Sequence, residues 1–492
     1  MKKDAAMKKT SLSSISTFQL VKGCVLAIIF LIAAVAAFML LREDTGLSTT
    51  AQQWVYPIGM AGLLAALITL FLGIATQDPN KPEAARKAWF YPLMAGLLGL
   101  VCMSLAYAYL GMWPVGVETG LIVDMHHQYA PLLADLRDML LHGGSPLYSF
   151  HVGLGSSYLP LFAYYLASPF NLLLVLFPEH LLPEALLVIT LLKNALTAAL
   201  FAACLQYVYR RRDMSVCIVA IMYSMMMYLL AYSWNIMWLD CVMILPLVVL
   251  GFERMMRTGK FLTYVLSLAY ALYANYYIGF MICLFMVLYY AVYFLRKRRE
   301  AGRQAKSFLR FVVGSALGGG LAMFLLIPVA MALGQTSAAG GTLPDIKANF
   351  DIFNLLGRHL YETSPTIRSG NLPNLYCGLL SVVLLPVFAT TRSIPLRRRA
   401  AYLGLLAVMA LSLVVNQMDL IWHGLHAPND LPYRFSFLYC FVLLLIAFET
   451  LTRLKDISLK QVGGTFVGLL AYLMIEDRFG DEAYGFTSIY VS

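Results

Sequence analysis

Apolar runs of membrane-spanning length alternate with short polar stretches along almost the whole chain. A run such as CVLAIIFLIAAVAAFMLL, beginning at Cys24, can cross roughly 30 Å of hydrocarbon as a helix, because helical hydrogen bonding leaves no backbone group exposed to lipid. The pattern predicts spans at 20–41, 53–75, 89–112, 184–208, 214–232, 238–253, 261–275, 277–295, 308–333, 375–391, 400–416, 435–452 and 461–476. The expected fold class is therefore an all-α polytopic membrane protein with about thirteen transmembrane helices. A β-barrel is excluded, since barrels show short alternating strands. The first run follows MKKDAAMKKTSLSSISTFQLVKG and resembles a secretory signal, with AVA as a cleavage site. It is long for that, and reads as an uncleaved anchor.

Three interruptions modify this picture. The stretch YLPLFAYYLASPFNLLLVLF from Tyr158 is apolar enough to span, but Pro160 and Pro169 break it, and a re-entrant or interfacial segment fits better. The runs 261–275 and 277–295 are joined only by NYY, so at least one of them must be short, tilted or broken, as helices lining cavities often are. Two long external loops are expected, at 113–183 and 334–374, with a shorter one at 417–434; the second carries GQTSAAGGTLPDIKANFD, whose turn chemistry suits a mobile lid. In the first loop QYAPLLADLRDMLLH sets Leu132, Leu133, Leu136, Met139 and Leu140 on one helical face, predicting an interfacial helix on the outer leaflet.

The composition, 60% hydrophobic and 13% charged, agrees with successive spans in lipid rather than several soluble cores. The net charge of +10 does not indicate nucleic acid, because the basic residues are distributed between spans: Lys2 to Lys9, Lys81 to Lys87, Arg210 to Arg212, Arg254 to Lys260, RKRRE from Arg296, RSIPLRRR from Arg392, and Arg453 to Lys460. The positive-inside rule makes all of these loops cytoplasmic, with the N-terminus inside and the C-terminus outside. The cysteines (Cys24, Cys102, Cys204, Cys217, Cys241, Cys283, Cys377, Cys440) lie in or beside apolar runs without CxxC spacing and read as packing residues. The histidines (His126, His127, His142, His151, His180, His359, His423, His426) fall in loops that the charge rule places outside, which directs attention to polar chemistry on that face.

Asp124 stands about a dozen residues beyond the span 89–112, near the interface without being buried among lipid tails. Partial desolvation there raises a carboxylate toward a useful pKa while an incoming hydroxyl can still reach it, as a general base requires; a solvated loop aspartate is the plainer alternative. His126 and His127 have no matching third ligand nearby, which argues against a metal. Lys193 interrupts an apolar run, where an ammonium must snorkel, find an anion such as a carrier phosphate, or pair with a neighbour such as Asp240. SWNIMWLD places Asn235, Trp238 and Asp240 at an external corner, where Trp commonly anchors an interfacial belt. Asn275, Tyr276 and Tyr277 open the junction between two short helices and offer rings that stack on sugars, although interfacial tyrosines are ordinary. His423, His426, Asn429, Asp430 and Arg434 share one short outer loop, and the guanidinium fork of Arg434 suits phosphate.

The stretches VDMHHQYAPLLADL, SFHVGLGSSYLPLFAYYLASPFNLLL, WNIMWLDCVMILPLVVLGFERM, NYYIGFMICLF, LYCGLLSVVLL and HAPNDLPYRFSFLYCF together resemble the YfhO-like family of bacterial membrane proteins, in the family's order, over about residues 89 to 450. The resemblance implies a GT-C class glycosyltransferase, which takes a sugar from a polyprenyl-phosphate carrier on the outer face and delivers it to a teichoic-acid-like envelope glycopolymer. It implies that Asp124 is the acceptor-activating base and that the displacement inverts the anomeric centre. Lys193 and Arg434 would stabilise the leaving phosphate, His126, His127, Gln128 and Tyr129 would position the base or acceptor, and Asn235, Asp240, Asn275, Tyr276, Tyr277 and Asn429 would shape the substrate pocket. No cofactor and no resident metal is implied, with room for a divalent cation; the partners are the lipid-linked sugar, the acceptor polymer and the bilayer of the bacterial plasma membrane, and not nucleic acid.

The implied organisation is an N-terminal part, 1–88, with two spans beyond the family core; a GT-C-like core, 89–476; and an external tail, 477–492, where family members usually continue. A short or truncated member is implied. A flippase moving a lipid-linked sugar without chemistry is the main alternative, and it should carry paired charges near mid-membrane and repeated halves; a non-catalytic scaffold would leave Asp124 without a role. The chain shows no internal repeat.

Overall fold

The computed structural model describes residues 88–296, 301–334, 345–361, 363–367, 372–426 and 430–479. The expected spans 20–41 and 53–75, the tail beyond 479, Asn429 and the glycine-rich part of the second long loop lie outside the described residues. Two compact units are distinguished: Val101–Thr119 belongs to one, and Ala88–Leu100 with everything described from Gly120 onward to the other.

Twelve helices of more than ten residues are described: α1 Phe90–Tyr109, α2 Ala130–His142, α3 Leu182–Tyr209, α4 Met214–Ser224, α5 Ile236–Thr258, α6 Leu262–Ala274, α7 Tyr276–Leu295, α8 Ala301–Leu333, α9 Leu379–Thr390, α10 Leu396–Val414, α11 Ser436–Leu451 and α12 Leu459–Phe479. Each expected span within the described residues coincides with a helix, but only six stretches are long and apolar enough to cross a membrane, or seven with one bent pair. Length explains part of the discrepancy, and charge or low hydropathy the rest: α10, 19 residues, begins LRRR, and α12, 21 residues, carries Lys460, Glu476, Asp477 and Arg478. At 13, 12 and 16 residues, α6, α9 and α11 fall short of the ~20 residues that a perpendicular crossing needs. The expected span 214–232 is kept among the six as Met214–Ala231, although it is interrupted at Met225–Met226 into α4 and a short helix, Met227–Ala231. A two-residue antiparallel hairpin, Tyr148–Ser149 with Ser156–Ser157, is a small departure from the all-α expectation.

The middle of the bundle is α5, buried along nearly its whole length between α3 and α6. Pro246 sits inside it and cannot donate to the carbonyl four residues earlier. That carbonyl, of Val242, instead accepts a hydrogen bond from the Tyr223 hydroxyl of α4 at 2.9 Å. Gly251 permits close contact with α6: a Cβ there would lie 2.6 Å from the backbone nitrogen of Tyr264.

Asn275 alone joins α6 to α7, in extended conformation. Its Oδ1 accepts from the backbone N–H of Ile278 at 2.9 Å and its Nδ2 donates to the carbonyl of Tyr164 at 2.8 Å. The short α6 and this one-residue corner match the expectation drawn from NYY. The segment from Tyr158 is also bent: Tyr158–Leu166 and Pro169–Leu176 meet at 90°, the geometry of a broken span or a re-entrant loop.

The amphipathic helix exists as α2, but its apolar face is spent on protein. Ala130, Leu132, Leu133 and Leu136 are buried, packed toward Pro169–Leu176 and α3, and Arg137 Nε donates to the Phe177 carbonyl at 2.8 Å. Only its end, Leu140 and Leu141, stays exposed. Nor do all the histidines sit in open loops: His359 and His423 are buried, His359 bonding through Nε2 with the Tyr439 hydroxyl of α11 at 3.1 Å.

Gly251→Val should force α5 from α6, because backbone rather than a flexible side chain occupies the space a Cβ would need. The expected outcome is a clearly lower apparent Tm of the purified protein in detergent; an unchanged Tm would show that the two helices do not pack this closely.

Candidate functional site

Asp124 begins a π-helical turn, Met125–Tyr129, that leads into α2. The preceding residue, Val123, has φ 49°, a left-handed conformation that a β-branched residue adopts only under strain, and such strain concentrates at functional sites. The Asp124 side chain is half-buried and makes no hydrogen bond or ion pair among the described residues. The wide turn leaves His126, His127 and Gln128 exposed and drives Tyr129 inward. The His126 and His127 Nδ1 atoms lie 3.4 Å apart. No group of three or more His, Cys, Asp or Glu residues is placed to hold a metal among the described residues.

Tyr129 connects this turn to the start of α5. Its hydroxyl donates to Asn235 Oδ1 at 3.0 Å, and its ring stacks on Trp234, 6.0 Å between centroids at 12°. Burial first, then the neighbouring Tyr164 and Asp124, push the Tyr129 phenol well above its ordinary range, against a smaller opposing effect of Arg434. Tyr129 is thus a fixed, protonated donor that senses both Asp124 and Arg434.

The bent segment provides the next layer through a second π-helical turn, Phe162–Leu166. The Tyr165 hydroxyl accepts from Gln128 Nε2 at 3.1 Å, and Tyr164 contacts Tyr276 and Tyr277, with ring centroids 5.8 and 6.1 Å away. Arg434 donates through Nη1 to the Tyr164 hydroxyl at 3.2 Å, with its guanidinium over Trp238 at 5.1 Å and Tyr277 at 5.2 Å. It is aimed by a strained loop: Leu431 and Tyr433 have φ 55° and 59°, and the carbonyls of Asp430 and Leu431 accept from the guanidinium, each at 3.0 Å. Among the described residues no carboxylate pairs with Arg434. A partially desolvated acid and an uncompensated cation therefore border one aromatic cluster.

Lys193 and Asp240 have a different environment. They form an ion pair, Nζ to Oδ2 at 2.6 Å, with exposures of 1% and 0%. Lys193 also donates to the Ile236 carbonyl at 2.9 Å, while Ser168 and Tyr270 donate to Asp240 Oδ1 at 2.9 and 2.6 Å. Of the alternatives for Lys193, pairing with Asp240 is the one the geometry displays, and Asp240 faces these partners rather than a sugar. Asn275 is likewise fully buried, its amide spent on the α6–α7 corner. Trp238 is 1% exposed, so it is not the interfacial anchor expected from SWNIMWLD.

Several residues of this cluster went unnamed from sequence: Tyr164, Tyr165 and Trp234. The adjacent tyrosines beside two prolines were the available signal. Nor does sequence show that Trp234 Nε1, Trp238 Nε1 and Asn235 Nδ2 are all buried without a hydrogen-bond partner among the described residues; an orphaned buried donor is uncommon and calls for an explanation.

Helices of spanning length with polar and aromatic residues gathered where α5, α7 and α11 begin define a polytopic helical membrane protein. Residues 94–484 match the family described as bacterial membrane protein YfhO, and the chain belongs to that family. No curated protein and no solved structure matches it.

Lys193→Met leaves Asp240 charged and buried without its counter-ion, a change that costs about 3–5 kcal/mol where such pairs have been broken. Lys193→Met with Asp240→Leu should recover much of the loss. Melting the single and double variants side by side checks this; a single variant as stable as the parent would mean that the pair does not bind the helices together.

Proposed function

We propose that the chain is a membrane glycosyltransferase of GT-C type, which moves a sugar from a polyprenyl-phosphate donor to a teichoic-acid-like envelope glycopolymer at the extracytoplasmic face of the plasma membrane. The observation that carries the proposal is the pairing of roles around one aromatic cluster: among the described residues, Asp124 is an acid without a partner and Arg434 a cation without a carboxylate. Membership of the YfhO family supports the membrane setting.

The acceptor hydroxyl gives its proton to the Asp124 carboxylate as its oxygen bonds to the anomeric carbon. The bond from that carbon to the phosphate oxygen breaks, its electron pair leaves with the prenyl phosphate, and the in-line attack inverts the centre. The charge growing on the phosphate is met by Arg434, held in place beforehand by Tyr164 and the carbonyls of its own loop. Tyr276, Tyr277 and Tyr165 offer faces and hydroxyls for the sugar, and the unpaired donors of Trp234, Trp238 and Asn235 suit a ligand rich in acceptor oxygens. His126, His127 and Gln128, exposed beside Asp124, are placed to meet the acceptor. Lys193 and Asp240 act one layer beneath, by fixing the start of α5. The steps use no cofactor, and a divalent cation on the donor phosphate is compatible with them.

A flippase would place its paired charges near mid-membrane. Asp240 lies in the second turn of α5 and Lys193 near the middle of α3, so the depth of the pair does not separate the two readings; what favours a structural role over a transport role is that Ser168, Tyr270 and the Ile236 carbonyl already complete it.

Asp124→Asn in proteoliposomes supplied with polyprenyl-phosphate sugar and acceptor should lower turnover by about 10²–10⁴, the range a general base contributes, with melting unchanged. Persistent turnover removes the base assignment. A cysteine placed at position 124 should react with a membrane-impermeant maleimide in intact cells; labelling only after lysis reverses the orientation.

A further inference from the structure

A second charged cluster occupies the other end of the same helices. α5 and α7 are 23 and 20 residues long, roughly 35 and 30 Å at 1.5 Å per residue. Their first turns carry the aromatic cluster, and Arg257 and Arg296 stand at their last. There a cavity of about 280 Å³ is lined by Val208 and four arginines, Arg210, Arg257, Arg296 and Arg398.

Two buried carboxylates answer the four guanidinium groups. Glu253, fully buried, pairs with Arg296 and with Arg257 at 3.2 Å, and Glu449 pairs with Arg398 at 2.7 Å. Arg210 has no acidic partner among the described residues and is exposed, so the cavity keeps an excess of positive charge and reaches the surface.

The guanidinium planes are braced as well as charged. Arg257 lies 5.1 Å from the Tyr207 ring centroid, Arg296 4.9 Å from Tyr293 and Arg398 5.9 Å from Tyr209. Arg257 also donates to the carbonyls of Tyr207 and Val208 at 2.9 and 3.0 Å, tying it to the C-terminal end of α3. Arg296 is 5% exposed, yet its Nε has no hydrogen-bond partner among the described residues. Braced guanidinium forks converging on one cavity, one of them with a buried donor to spare, are what recognition of a phosphate requires.

We propose that this cavity binds a phosphate-bearing anion, either the head group of an anionic phospholipid in the leaflet opposite Asp124 or a soluble phosphate compound. The positive-inside rule assigns this end to the cytoplasm, where anionic lipid head groups and soluble phosphates both reach it. The site does not depend on the glycosyltransferase proposal.

The test uses the full chain in nanodiscs of phosphatidylcholine alone, or with one fifth phosphatidylglycerol, and separately in phosphatidylcholine with added inorganic phosphate or pyrophosphate. Arg210→Asn is the informative variant, because this exposed residue pairs with no carboxylate and Asn tolerates its left-handed conformation at φ 56°. Phosphatidylglycerol should raise the parent's Tm by several degrees and survive as bound lipid in native mass spectra, with the bound fraction reduced at least threefold in Arg210→Asn. A response confined to phosphatidylglycerol identifies a head-group site, and a response to phosphate or pyrophosphate as well identifies a site for the phosphate itself. If none of these additions shifts the parent's Tm, or Arg210→Asn responds as fully as the parent, the proposal is overturned.

Discussion

The Lys193–Asp240 ion pair is the interaction on which the arrangement of the candidate site depends. Two opposite charges out of contact with water cost several kcal/mol each to desolvate, and they persist only where further hydrogen bonds complete them. Here the completing groups come from separate elements: Ser168 from the bent segment, Tyr270 from α6 and the Ile236 carbonyl from α5, with Lys193 itself on α3. One carboxylate thereby fixes the mutual placement of four pieces of chain, and above it stand the residues that would meet a substrate. The pair is buried and satisfied, so its contribution is to specify an arrangement more than to bind anything.

A contrast between two cations clarifies the division of roles. Lys193 is a point charge with a dedicated carboxylate, whereas Arg434 is supported by two carbonyls, a phenol and two aromatic faces, none carrying a full negative charge. A guanidinium held in this way stays ionised and keeps its field available for an incoming phosphate. Asp124 has the complementary condition, a half-buried carboxylate after the strained Val123 that no cation among the described residues neutralises. The two are linked by Tyr129 and the Tyr164–Tyr165 pair of the bent segment.

The positions of most elements were legible in the sequence, because apolar runs bounded by charge locate helices in lipid. Their lengths were less so: α6, α9 and α11 are shorter than the runs that encode them, since hydropathy records what a residue avoids and not where hydrogen bonding ends. NYY did reveal the abrupt corner at Asn275, and Pro160 with Pro169 marked the bent segment. Pairings were only partly legible. Asp240, 47 positions from Lys193, was among the partners the sequence offered for that lysine, but only folding shows that both of its oxygens are already occupied by protein. The apolar face of α2 could be read, but not its cover, because a stripe of leucines is equally suited to lipid and to a neighbouring helix. Trp238 was misjudged for the same reason: an indole at the start of a span looks interfacial until Arg434 is found above it.

The most direct test of the account is an experimental structure of the protein in lipid with a non-reactive polyprenyl-phosphate sugar bound. The account places the phosphate against the Arg434 guanidinium, with the anomeric carbon turned toward Asp124 and the Lys193–Asp240 pair intact beneath. A head group bound elsewhere, or one that breaks that pair to reach Lys193, would contradict it.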